Sequence, residues 1–338
     1  MTEFIPYHPE MKSHIVHLLG DVPYKDVIWE WQFEKNPFKA GFEPVVVGQS
    51  GQIIGFNGVM PITVYYNGKE ISGLWSCDFY VDGGYRGQGL GKVIKKELIR
   101  RSPLIMSLGI SDMASRVLLK MGWVSSSEVF SYRRIRKPNS PKTFLIFFLQ
   151  IWNRVSGIAR QYDHSLNVDF GSELPSRDSV NALWNSVRST HTKIVVRNWD
   201  YLDWKYQQHP LARYRFWSVK DRGALRAILI SREHLGVLRI VDYLGGASDY
   251  DAARALCQRI LSEYGSIPVL TCTTSSVTFS QALLDCGFFR SRTQPRFFVR
   301  SSIPGDECCE RNWFIMGGDS DGELLLSASE AMDVGGPR

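Results

Sequence analysis

Arg86-Gly87-Gln88-Gly89-Leu90-Gly91 places three residues without side chains directly ahead of Lys92 to Arg100, a segment whose Val93, Ile94 and Leu98 have helical spacing. The start of a helix carries unsatisfied N–H groups and the positive end of the helix dipole, and glycine lets an anion reach that backbone. A turn of this kind suits a diphosphate. It is not a Walker loop, because no Gly-Lys-Ser/Thr follows, and its spacing is not the G-x-G-x-x-G of dinucleotide-binding turns. Leu74 to Val81 ahead of it reads as a strand, so the local order is strand, glycine-rich turn over 82–91, helix.

The elements that must hold this turn occur twice. Trp31-Gln32-Phe33-Glu34-Lys35-Asn36-Pro37 resembles Trp204-Lys205-Tyr206-Gln207-Gln208-His209-Pro210, Cys77-Asp78-Phe79-Tyr80 resembles Val241-Asp242-Tyr243-Leu244, and Leu119-Lys120-Met121-Gly122-Trp123 resembles Leu284-Asp285-Cys286-Gly287-Phe288. Matches in the same order read as two copies of one domain. The expected division is 1–135, a linker helix over 136–166, a second copy over 167–303, and a closing segment and tail over 304–338.

Each copy has a mixed α/β pattern. Lys12 to Leu19 and Ser179 to Arg188 have helical periodicity, and aromatic-rich helices end before Pro37 and Pro210. Pro44 to Val47, Gln52 to Met60 and Pro61 to Tyr66 read as strands of a meander, with turns at Gln49-Ser50-Gly51 and Asn67-Gly68. Arg215 to Val219, Ala224 to Ser231 and Leu238 to Leu244 are their counterparts.

The chain of 338 residues is 44% hydrophobic and 22% charged, which excludes a disordered or low-complexity chain, and its net charge of +6 admits an anionic ligand without the footprint of a nucleic-acid binder. Six cysteines without CxxC or His spacing suggest neither a metal site nor a disulfide framework, and Met1 to His17 has no secretory pattern; the expectation is a cytoplasmic protein. Phe144 to Trp152, FLIFFLQIW, falls short of the roughly 20 residues of a spanning helix and reads as a buried or domain-bridging helix, without stable membrane insertion.

Val81-x-x-x-Tyr85-Arg86-Gly87-Gln88-Gly89-Leu90-Gly91 resembles the acyl-CoA loop of the GNAT acyltransferase superfamily, and Ala114 and Gly122-Trp123 agree with it. The resemblance implies an α/β (α+β) fold of two tandem GNAT-like domains, each a mixed, mostly antiparallel sheet flanked by helices. It also implies that pantetheine bonds to the backbone of Phe79, Tyr80 and Val81, and that the N–H groups of Arg86 to Gly91 hold the pyrophosphate of acetyl-CoA or another short acyl-CoA. The sequence departs from the family at two positions: Ser111 stands where many members have Asn, leaving a side chain able to hydrogen-bond CoA, and Leu118 stands where a Tyr usually reprotonates the thiolate. The second copy lacks the loop, and Asp249 and Asp251 near its helix start would repel a pyrophosphate, so one acyl-CoA site is expected.

Attack of an amine on a thioester needs a proton acceptor, and Asp78, on the strand beside the acyl site, is the first candidate, with His209, Asp242 and Asp319 as alternatives that would also bind the acceptor. Trp31 belongs to an aromatic cluster with Trp29, Phe33, Trp199, Tyr201, Trp204 and Tyr206, a pattern typical of core that would also serve as a stacking wall for a sugar or base. Trp313 to Asp321 resembles a closing segment of tandem GNAT proteins of cell-envelope polysaccharide synthesis. That likeness implies N-acylation of a nucleotide-linked amino sugar, such as a dTDP-linked 3-amino-3,6-dideoxyhexose destined for O-antigen or capsule. A peptide or protein amine as acceptor, and a non-catalytic CoA-binding scaffold, are the alternatives.

Overall fold

The computed structural model describes residues 2–20, 24–136, 166–234, 236–292 and 294–320. The expected linker helix, the apolar run 144–152 and the tail beyond 320 lie outside the described residues. The chain forms two units, one of residues up to Ser127 with Arg296–Arg311, the other of Glu128–Pro295 with Asn312–Asp319.

In the first unit Glu3–Ile5 (β1), Val45–Gln49 (β2), Gln52–Tyr66 (β3), Lys69–Val81 (β4), Leu104–Leu108 (β5) and Val124–Ser126 (β6) join one later strand, Phe297–Ser301 (β15), in the order β1-β2-β3-β4-β5-β15-β6. Ser50-Gly51 and Asn67-Gly68, with both residues of each pair at positive φ, close the β2–β3 and β3–β4 hairpins. These are the tight turns whose twist matches that of paired strands. The expected break at Pro61 does not occur: β3 runs through it, with Pro61 opposite Leu74. Proline's fixed φ is compatible with extended chain, so it costs the ladder one donor but not its path. The helices Lys12–Leu18 (α1), Lys25–Trp29 (α2), Leu90–Arg101 (α3) and Asp112–Lys120 (α4) complete the unit. Its core gathers Trp29, Phe33, Val45, Phe56, Ile94, Leu98, Ile105, Trp123 and Phe298, and each fully buried large side chain contributes about 1.5–3 kcal/mol of transfer free energy.

The second unit repeats this order. Phe130–Ile135 (β7), Asn167–Gly171 (β8), Arg215–Asp221 (β10), Ala224–His234 (β11), Val237–Leu244 (β12), Val269–Thr274 (β13) and Phe289–Arg290 (β14) run β8-β10-β11-β12-β13-β7-β14. Lys193–Val195 (β9) and Trp313–Phe314 (β16) form a parallel pair. Arg177–Val187 (α5), Trp199–Leu202 (α6), Tyr250–Glu263 (α7) and Val277–Asp285 (α8) are its helices. In both units the aromatic-rich helix continues into a π-helical turn, Glu30–Glu34 after α2 and Asp203–Gln207 after α6.

Compared position by position, the two orders reveal an exchange. β7, the last strand of the first sequence copy, lies between β13 and β14, while β15, the last strand of the second copy, lies between β5 and β6. Each sheet is therefore completed by a strand from the other copy.

Candidate acyl-CoA site

β4 pairs with β3 along its whole length but with β5 only at Leu74↔Ile105 and Trp75↔Met106. Among the described residues its β5-facing side has no strand partner from Ser76 onward, while β5 runs on alongside β15 on its other edge. Asn57 lies opposite Phe79 and Gly58 opposite Cys77, which leaves Asp78 as a bulge residue at φ +47°. A bulge adds local twist, and aspartate tolerates the left-handed conformation better than most residues. The strand thus leaves its parallel neighbour and bends just before the glycine-rich turn.

Self-contained hydrogen bonds shape that turn. The Gly84 N–H donates to Asp82 Oδ1 at 2.9 Å, Arg86 Nε to the Val81 carbonyl at 2.9 Å, and Gln88 Nε2 to the Gly84 carbonyl at 2.7 Å. Gly89 caps α3 from the left-handed region, φ +86°, a conformation that disfavours any side chain there. Among the described residues the N–H groups from Gly87 to Gly91 donate to nothing within the chain. Arg86 and Lys92 stand exposed beside them. A row of open donors, a helix of 12 residues behind it and two cations fit a diphosphate, and the unpaired edge of β4, with Phe79 46% exposed, fits the pantetheine that would follow.

Two side-chain clusters flank the bend. On the side of α2, Asp78 Oδ1 pairs with Lys25 Nζ at 2.7 Å, and Gln32 Nε2 lies 3.5 Å from Asp78 Oδ2 and 2.6 Å from Cys77 Sγ. On the side of α3, Lys95 Nζ donates to Asn57 Oδ1 at 2.6 Å and Ser76 Oγ at 2.7 Å, and lies 4.8 Å from the Phe79 ring centroid and 5.9 Å from that of Trp123. Sequence reasoning singled out Asp78 and did not single out its neighbours Lys25 and Gln32 or the cluster of Asn57, Ser76 and Lys95. A signal existed for Lys95, which shares the i, i+3, i+4, i+7 stripe of Gly91, Ile94 and Leu98. Tyr80 stacks on Phe56 with ring centroids 5.5 Å apart. Ser111 caps α4, accepting from the Ala114 N–H at 3.3 Å, and Leu118 is buried in the core. Trp31 lies in the π-helical turn and is 7% exposed.

The remaining predicted residues lie in the second unit, all buried. His209 Nδ1 accepts the N–H groups of Leu211 and Ala212 at 3.2 and 2.8 Å; burial, with Lys205, Arg232 and Arg213 nearby, holds its imidazole down at about 3. Asp242 and Asp319 meet through Arg197, whose Nε donates to Asp242 Oδ1 at 2.9 Å and whose Nη2 donates to both Asp319 oxygens at 2.8 and 2.7 Å. Tyr206 donates to Asp242 Oδ2 at 2.8 Å.

This network closes the gap equivalent to the one in the first unit. β12 and β13 pair from Val237↔Val269 to Ile240↔Cys272 and then part. Residues 315–319 run there: Met316 bridges Thr274, Ser275 N–H donates to the Ile315 carbonyl at 2.9 Å, and Gly318 packs so closely that a Cβ would stand 2.8 Å from the Val241 carbonyl oxygen. The Trp313–Asp321 segment, singled out in the sequence by its likeness to a polysaccharide-linked tail, thus fills the second gap with its residues up to Asp319.

No family model and no curated protein matches the sequence. Solved structures do match. The chain is similar to a GCN5-related N-acetyltransferase from Anabaena variabilis (TM-score 0.61, 14% identity, 89% of this chain and 73% of that one) and to one from Kribbella flavida (0.60, 10%, 89% and 72%). It is also similar to Saccharomyces cerevisiae N-myristoyltransferase with bound myristoyl-CoA (0.52, 15%, 88% and 82%). With two sheets of the same strand order, each carrying helices, and a parting of the fourth and fifth strands in both, the chain has the tandem GNAT-like α+β fold.

Proposed function

We propose that the chain is an acyl-CoA-dependent N-acyltransferase with one working site, in the first unit. The observation that carries this reading is the coincidence of an unpaired β4 edge with a turn of open N–H donors at its end. Arg86 to Gly91 hold the diphosphate of the acyl-CoA, the backbone of Phe79, Tyr80 and Val81 orients its pantetheine, and Ser111 contributes through the cap of α4. The thioester supplies an activated acyl group. Asp78, fixed by Lys25, takes the proton that the acceptor amine loses as its nitrogen bonds to the acyl carbon and the carbon–sulfur bond breaks.

The acceptor is the amine of a nucleotide-linked amino sugar, and the acyl group is acetyl or a short hydroxyacyl. The mild positive charge and the likeness of the closing segment support this choice. Among the described residues no helix is long and apolar enough to cross a membrane. Free-thiol release should be measured from acetyl-, 3-hydroxybutanoyl- and myristoyl-CoA, with dTDP-linked amino sugars and with peptide amines. Release with a short acyl-CoA and the sugar, lost by at least about 100-fold in Gly89→Trp, is the expected result, because an indole at the cap would obstruct the anion cradle. Release with peptide amines alone overturns the acceptor, and bound CoA without release from any donor overturns the enzyme.

A further inference from the structure

When the carbon–sulfur bond of a thioester breaks, its electron pair leaves on sulfur, and a dry site must compensate that charge. The bend of β4 has a cation suited to this. Lys95 is only 9% exposed, whereas its helix neighbours Lys92 and Lys96 are exposed. Burying an ammonium costs several kcal/mol even after relaxation, and an apolar residue would continue the stripe of Ile94 and Leu98 without that cost. Its position is specific. Ser76, 2.7 Å from Nζ, is the first residue past the last β4–β5 pair, so the ammonium sits at the closed end of the gap. Asn57 is locked by its Nδ2, which donates to the Gly58 and Cys77 carbonyls, so that its Oδ1 is presented to Nζ. Phe79, half in solvent, lays its ring over the ammonium at 4.8 Å and stands so close to Gly91 of the loop that a Cβ there would lie 3.0 Å from it, which links the cation to the path from the loop to the bend.

We infer that Lys95 is the group that receives the sulfur of CoA, an inference that rests on the acyl-CoA reading above. The acceptor nitrogen bonds to the acyl carbon and its proton passes to Asp78. The carbon–sulfur electron pair departs as a thiolate paired with the Lys95 ammonium, and solvent protonates the sulfur as CoA leaves.

The pairing is measurable without turnover. An opposite charge within a few ångströms lowers a pKa by about 1–3 units, each unit being a tenfold effect. The thiol of CoA bound to the full chain, followed by the ultraviolet absorbance of its thiolate, should therefore titrate below its value in solution. Calorimetry should show a preference for CoA over desulfo-CoA that grows with pH to about tenfold or more. In Lys95→Met that preference should vanish while desulfo-CoA binds as before, and Lys95→Arg should keep most of it. A bound thiol that titrates as in solution overturns the inference, as does equal loss of CoA and desulfo-CoA in Lys95→Met. If Lys95→Met does not fold, the titration of the unaltered chain decides alone. Failure of the unaltered chain to bind either ligand would instead overturn the acyl-CoA reading itself.

Discussion

The same gap between fourth and fifth strands occurs in both units, and the chain uses it in opposite ways. In the first unit β4 parts from β5 and, among the described residues, its edge stays open; in the second, residues 315–319 occupy the space, tied down by Asp319, Arg197 and Asp242. The helix that follows differs in the same sense. Gly89 caps α3 without a side chain, leaving its N–H groups open to a ligand. Asp249 caps α7 with its own carboxylate, which accepts the Ala252 N–H at 3.2 Å and pairs with Arg226 at 2.7 Å. A helix N-terminus is thus an anion site only when the chain has not already supplied the anion. The second unit keeps the parted strands and the helix that follows, and fills the gap between them from within.

Cutting the chain at Arg134 gives the largest test of this comparison. Although the fragment retains the whole glycine-rich turn, it lacks β15, so β5 and β6 lose the strand that joins them. The loss should remove most of the ~5–15 kcal/mol that keeps a domain folded. Circular dichroism and thermal melting should show no cooperative transition, and a stable fragment that binds acyl-CoA would show that the exchange is dispensable.

Next in size are the paired aspartates, which face the aromatic helix of their respective units. Asp242→Asn leaves Arg197 short of a buried partner and should cost about 3–5 kcal/mol in melting experiments, with turnover of the remaining folded protein little changed. Asp78→Asn should instead lower kcat by about 100-fold at temperatures where the protein is folded. Equal effects of the two substitutions on kcat would remove the distinction between a working and an internally filled gap.

The smallest effect concerns pH. Burial lowers the imidazoles of His191 and His209 from 6.5 to about 4 and about 3. Below pH 6.5 the unfolded chain binds protons at these residues that the folded chain refuses. Their contribution to stability is complete above that value and drains as pH falls toward the folded-state values. His209→Gln should flatten the dependence of melting on pH by ~1.4 kcal/mol per pH unit across this window. An unchanged slope would mean that His209 is protonated in the folded unit.

Local features were legible in the sequence. Asn67-Gly68 specified a tight hairpin, the apolar spacing specified α3, and the glycines of 86–91 specified a helix start that no side chain blocks, because each depends on the conformational preferences of adjacent residues. The duplication was legible too, since it is a property of the sequence itself. Pairing between distant residues was not. That β7 and β15 exchange sheets follows from which edges each strand completes, and periodicity is identical for either placement. That Lys95 is buried while Lys92 and Lys96 are exposed required the positions of Asn57 and Ser76, 38 and 19 residues away in sequence. In the same way, the glycines of the closing segment could not reveal that Gly318 is needed because Tyr206 and Val241 leave no room for a Cβ. Sequence alone set the turns, the helix faces and the repeat; tertiary structure decided which gap stays open, because an empty space is defined only by everything packed around it.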